Sequence, residues 1–192
     1  EGTYELELIL DEMAGETFSE NNKKTLKTRI EKKVIRVLLV DSFPRWEYRF
    51  LRNALERDPG VKLDSILFHP AMKPASGSGY LEKFPDNQSL LAPYDVIILG
   101  DIGLTDGELN RQECELLENL IRYQAAGIVF LPGRRGGQLS FQSSPLEALL
   151  PVVYDPDNPR GLGTRNPVPL ALTQRGKEHW LTNLRGAGEP NL

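Results

Sequence analysis

Val34-Ile35-Arg36-Val37-Leu38-Leu39-Val40 is the stretch on which the fold turns. Its aliphatic residues run on without polar alternation, as expected of a strand covered on both faces in a parallel sheet. After Asp41-Ser42-Phe43 comes Pro44, whose preset φ and missing N–H suit the first turn of a helix. Tyr48, Leu51, Ala54 and Leu55 recur at helical spacing, and Asp58-Pro59-Gly60 ends the pattern. Val61–Phe68 reads as a second strand, with Leu63, Ile66, Leu67 and Phe68 on its apolar side. Residues 69–93, with Pro70, Pro74, Gly77, Gly79, Pro85 and Pro93, read as a long loop, a feature that carries function or is mobile in compact domains. Tyr94–Gly100 gives a third buried strand. Thr105 and Glu108 have capping-box spacing, and Leu109, Leu116, Leu117, Leu120 and Ile121 supply the core face of a helix ending before Gly127. Gly127–Leu131 is a fourth strand, Pro132–Gly137 a glycine-rich turn, and Ser144-Pro145 the cap of a short helix through Leu150.

This alternation predicts an α/β protein, a three-layer sandwich with a central parallel sheet and right-handed crossovers. With the first strand between the second and third, the winding reverses at the carboxyl ends of the first and third strands, where ligands of such sheets bind. Asp41, Ser42, Asp101 and Ile102 fall at that point.

Upstream, residues 3–10 alternate apolar and polar, and Thr25–Ile30 offers a second short strand, which together predict an N-terminal antiparallel β-hairpin. Two strands are not a domain. They either dock on the α/β segment downstream or close a sandwich begun earlier. The segment Gly15-Glu16-Thr17-Phe18-Ser19-Glu20-Asn21-Asn22 resembles the closing hairpin of bacterial immunoglobulin-like repeats. Downstream of Pro151 the chain is rich in Pro, Gly and Asn, with one strand-like piece at Val168–Leu172, and reads as an extended arm lying over the domain. The expected division is therefore 1–33, 34–152 and 153–192, within a larger protein.

Composition narrows the partners. The 192 residues carry 23 Lys plus Arg against 27 Asp plus Glu, a net charge of −4, so bulk charge gives no reason to bind nucleic acid. No apolar run approaches the roughly 18 residues of a bilayer span, so this piece is not expected to insert in a membrane. One cysteine excludes an internal disulfide and a cysteine-built zinc site, and two histidines leave little for a histidine-rich metal centre. No cofactor is expected.

Pro44-Arg45-Trp46-Glu47-Tyr48-Arg49-Phe50 is the most informative stretch for chemistry. At helical spacing Arg45, Arg49 and Arg52 share a stripe, Tyr48 and Leu51 face the sheet, and Trp46 and Phe50 share a flank. Arg45 and Glu47 fall in the first turn, where backbone N–H groups favour anions and Arg45 adds a guanidinium fork. The alternative is an ion-pair cluster of Asp41, Glu47 and the arginines, with Trp46 and Phe50 packing on a neighbouring domain. Gly133-Arg134-Arg135-Gly136-Gly137 suits the wrapping of an anion by backbone amides with Arg134 and Arg135 beside it, or a plain surface turn; it lacks the phosphate-loop pattern. His69 ends the second strand at the functional edge as acid, base, ligand or cap, and His179 is read in the same way. Asp41 and Asp101 suit a divalent cation or simple capping of their turns. Cys114 falls on the buried helix face and is expected to pack.

Val34–Val152 resembles the class I glutamine amidotransferase-like domains, in an uncharacterised bacterial branch. The residues that carry the likeness are Val37-Leu38-Leu39-Val40-Asp41, Pro44 to Arg49, Asp95–Gly100, Gly127–Gly137, Ser144-Pro145-Leu146 and Leu149-Leu150-Pro151. The resemblance implies a flavodoxin-like domain of a large membrane-associated protein that also carries immunoglobulin-like or von Willebrand A modules. Amidotransferases hold their nucleophile on a G-x-C-x-G elbow, with a histidine and a glutamate near the C-terminus. Here the elbow reads Gly133-Arg134-Arg135-Gly136-Gly137, Ser140 lies too far along, Cys114 belongs to the preceding helix, and Glu178-His179 lacks the H-x-E spacing. Without a nucleophile there is no covalent acyl transfer. No catalytic residue carries over. The expectation is a non-catalytic module that binds other domains, a partner protein or a small anionic ligand. The alternative is a hydrolase or other enzyme built on Asp41, His69 and Asp101. Receiver domains share the paired aspartates, but the acidic pair after the first strand and the lysine after the last are missing.

Overall fold

The computed structural model describes residues 2–11, 14–15, 22–30, 33–69, 78–158, 171–179 and 182. The chain divides into two compact units, Glu1–Arg160 and Gly161–Leu192.

In the first unit, β1 (Gly2–Ile9) and β2 (Lys23–Ile30) form an antiparallel hairpin in continuous register from Gly2↔Ile30 to Ile9↔Lys23. Strand alternation sorts its side chains by chemistry. Glu5 and Glu7 pair with Lys27 and Lys23 at 3.0 and 2.8 Å. Tyr4, Leu6, Leu8 and Leu26 occupy the other face, all more than 40% exposed. Most of Gly15–Asn22, and with it the likeness to an immunoglobulin-like closing hairpin, lies outside the described residues.

The parallel sheet has the order β4-β3-β5-β6, formed by β3 (Ile35–Asp41), β4 (Val61–Leu67), β5 (Val96–Leu99) and β6 (Gly127–Phe130). The first strand of the run is central, flanked by the second and third, as the sequence predicts. Its two faces are covered by different helices, which explains the unbroken aliphatic run. Val37 and Leu39, with Ile98, pack against Tyr48, Leu51 and Leu55 of α1 (Trp46–Arg57). Leu38 and Val40, with Ile97 and Leu99, pack against Cys114, Leu117 and Leu120 of α3 (Arg111–Gln124) and against Phe141 and Leu146. Each of these buried aliphatic side chains contributes roughly 2 kcal/mol relative to exposure.

Several boundaries differ from the sequence reading, and each has a local cause. Pro44 precedes the helix, because Arg45 is the N-cap and its carbonyl accepts the Arg49 N–H at 3.0 Å. The capping box of α3 is Asn110 with Glu113, not Thr105 with Glu108: the Asn110 side chain accepts from Glu113 N–H at 2.9 Å, and Glu113 Oε2 accepts from Asn110 N–H at 2.8 Å. Glu108 instead turns inward. Within the expected 69–93 loop, α2 (Gln88–Leu91) forms a single turn capped by Asn87, and Tyr80 bridges to Ser65 on the edge of β4. Residues 70–77 of that loop lie outside the described residues. A 3-10 helix over Gly137–Ser143 follows the glycine-rich turn, and a second over Pro145–Leu149 is capped by Ser144 as expected.

In the second unit, α4 (Gln174–Glu178) starts at Thr173, whose hydroxyl accepts from Gly176 N–H at 3.1 Å. Most of Val168–Leu172 lies outside the described residues; Ala171 and Leu172 are not in a strand. No helix among the described residues is long and apolar enough to cross a membrane.

Candidate functional site

The carboxyl ends of β3 and β5 bring Asp41 and Asp101 together at 1% and 3% exposure. A carboxylate held away from water needs donors on both oxygens. Asp41 Oδ1 accepts from the backbone N–H of Ser42 at 2.8 Å and of Asp101 at 3.3 Å, and Oδ2 accepts from Arg45 Nε at 2.8 Å. The carboxylate lies flat against Gly100, where a Cβ would fall 2.1 Å from Oδ2. Burial pushes the Asp41 carboxyl above its ordinary value, and the Arg45 guanidinium opposes that shift.

Asp101 is the anchor of the glycine-rich turn. Its Oδ2 accepts from Arg135 N–H at 2.7 Å and its Oδ1 from Gly137 N–H at 3.0 Å. Two turn amides, with the Gly136 N–H between them donating to the Gly133 carbonyl, converge on one carboxylate in the manner of an anion cradle. Here the protein's own side chain fills it. Gly133 makes room, since a Cβ there would lie 2.4 Å from Asp101 Oδ2, and Gly136 takes the left-handed φ of +70° that closes the turn. The Asp101 carbonyl accepts from Ser42 Oγ at 2.7 Å and from Arg135 Nη1 at 3.2 Å.

The guanidinium groups are committed as well. Arg45 donates to the carbonyls of Leu131 (2.7 Å) and Pro132 (3.2 Å), tying the end of β6 to that of β3, and it stands 3.9 Å from Glu47. Arg135 donates to Glu108 at 2.5 Å and lies over the Phe43 ring at 5.4 Å. Glu108 also accepts from Gly103 N–H at 2.8 Å, which explains its absence from a capping box. Arg134 is exposed and makes no hydrogen bond or ion pair with the described residues. Of the cations expected around the turn, it alone among the described residues is left for an external anion.

Two further participants carry no local sequence signal. Gln138, 1% exposed, donates to the carbonyls of Leu99 (2.9 Å) and Gly100 (2.6 Å), while its oxygen accepts from Tyr154 at 2.6 Å. Ser140 donates to the Gly137 carbonyl and accepts from Leu104 N–H, both at 2.7 Å, so its hydroxyl is employed as a clamp.

His69 does not sit in this network of carboxylates. Its ring meets the edge of Phe43 at 4.8 Å and 78°, and it lines a neighbouring cleft of about 350 Å³ with Phe68, Glu82, Lys83, Glu108 and Glu113. Cys114 is fully buried on α3, and burial pushes its thiol up to about 11, far from a thiolate at neutral pH. Glu178 and His179 end α4 in the second unit. Among the described residues no group of three or more His, Cys, Asp or Glu is arranged to hold a metal ion. Trp46 and Phe50 lie apart from the corner, stacked at 5.7 Å on the outer side of α1, each 67% exposed.

Against protein-family models, curated proteins and solved structures alike, the chain finds no match.

Proposed function

We propose that this chain is a non-catalytic, flavodoxin-like module, similar to class I glutamine amidotransferase-like domains, that binds a partner protein or another domain within a larger, membrane-associated bacterial protein. One observation carries the reading: the turn that would present a nucleophile presents Arg134 and Arg135, and its amides are closed on the Asp101 carboxylate. Acyl transfer needs a nucleophile, a base beside it and an open oxyanion site. The closed cradle supplies none of these. It also weighs against the small anionic ligand as principal cargo, leaving that role to Arg134. The uncovered apolar face of the β1–β2 hairpin favours a neighbouring sheet against it, as in the closing strands of an immunoglobulin-like domain.

The test is ammonia release from glutamine. The reading predicts none above the blank; turnover that disappears on Asp41→Ala or His69→Ala overturns it. The cleft beside His69 favours a second reading, an enzyme working there with Glu108 or Glu113. A screen of ester and amide substrates, with turnover lost in His69→Ala alone, would select it over the first.

A further inference from the structure

The arginines of α1 and its N-cap fall into two groups. Arg45 and Arg52 are held by Asp41 and by Glu56, at 2.8 and 3.1 Å. Arg49 and Arg57 form no ion pair among the described residues. With Tyr48, Leu51 and Leu55 on the buried stripe, 100° per residue places Trp46, Phe50, Asn53 and Arg57 along the opposite stripe, with Arg49 at its border. The Arg49 guanidinium lies 5.4 Å from the Trp46 ring centroid, a favourable cation–π distance. The outer face of the helix thus presents a stacked aromatic step flanked by two uncompensated cations, eight residues or about 12 Å apart along the axis.

We infer that this face is a docking site for an acidic helical segment of a partner protein, one that sets apolar side chains on Trp46 and Phe50 and carboxylates opposite Arg49 and Arg57. The inference rests on the partner-binding reading above and names the partner's chemistry. A second helix is the shape that suits the site, because helix ridges pack into helix grooves at 8–10 Å. Tryptophan and arginine are the residue types that carry most energy at such contacts. A second copy is disfavoured, since an isologous pairing of this face sets guanidinium groups against guanidinium groups.

The experiment uses the whole chain and a fluorescein-labelled 16-residue helical peptide with leucines at i, i+4 and i+7 flanked by glutamates, alongside the same peptide with lysines for glutamates. Fluorescence anisotropy should show saturable binding of the glutamate peptide that weakens with added salt. Trp46→Ala should weaken it ~tenfold or more while leaving the melting temperature unchanged. Arg49→Glu with Arg57→Glu should reverse the preference to the lysine peptide, an exchange that a merely structural role would not produce. Equal binding of both peptides, no saturation at millimolar peptide, or indifference to Trp46→Ala overturns the inference. So does a dimer that dissociates on Trp46→Ala, or phosphatidylserine-vesicle binding lost with that variant, each assigning the face to another occupant. Ammonia release is independent of these readouts, so activity would refute the non-catalytic reading without touching peptide binding.

Discussion

At the carboxyl ends of β3 and β5, two aspartates are almost wholly buried and every oxygen of their carboxylates is occupied by a backbone amide or by Arg45. On the outer face of α1, a few residues further along the chain, two aromatic rings stand 67% exposed and two guanidinium groups have no ionic partner among the described residues. The polar groups at the first place are used to join β3, β5 and the turn after β6. Those at the second are left over. In an open α/β sheet the corner is the usual place for a ligand. Here the corner is consumed by structure, and the exposed aromatic and cationic groups stand on the outside of a helix.

Variants can break this contrast. The largest loss is expected for Asp101→Ala, which leaves two partly buried donors, Arg135 N–H and Gly137 N–H, without an acceptor; urea unfolding should show a loss of about 3 kcal/mol. Gly133→Ala should rank second at about 2 kcal/mol, because its methyl group would overlap the Asp101 side chain. Asp41→Asn is read through pH. Burial holds the folded-state pKa of Asp41 above the ordinary 3.8, so the folded protein keeps a proton that the unfolded chain releases. The stability linked to that proton is full below 3.8 and is lost as pH rises to the raised value. Over that window the stability of Asp41→Asn should therefore improve relative to the parent, and a constant difference would contradict the assignment. The smallest stability change is expected for Trp46→Ala, within about 0.5 kcal/mol, because the ring covers no core.

The sheet is legible because its signal is local. Val37 to Val40 are four consecutive aliphatic residues that alternate between two covered faces, while Val34 and Ile35 at the start of the run stay 41% and 44% exposed; a strand buried on both sides belongs in the middle of a parallel sheet, between the strands that follow it. The buried places of Tyr48, Leu51 and Cys114 come from helical spacing alone. The pairing of Asp41 with Arg45 is legible as one of two alternatives, and the structure forms it, with Glu47 at its edge.

Tertiary partners decide the features that local sequence does not reveal. Thr105 with Glu108 and Asn110 with Glu113 have the same spacing, and nothing local separates them. Glu108 is drawn away by Gly103 N–H and Arg135, which leaves the second box to start the helix. The glycine-rich turn suggests an empty anion cradle, and the anion that fills it comes from a residue some 35 positions earlier. Gln138 and Tyr154 carry no pattern at all, because their role exists only once the carbonyls of Leu99 and Gly100 stand beside them.

Amide hydrogen exchange at Arg135 and Gly137 tests the closed corner most directly. With Asp101 as their acceptor, both amides should be protected in the parent chain and should exchange at loop rates in Asp101→Ala, while neighbouring core amides of β5 stay slow. Exchange at loop rates in the parent chain would mean that the cradle is open to an outside anion, and the account of a corner spent on structure would fall.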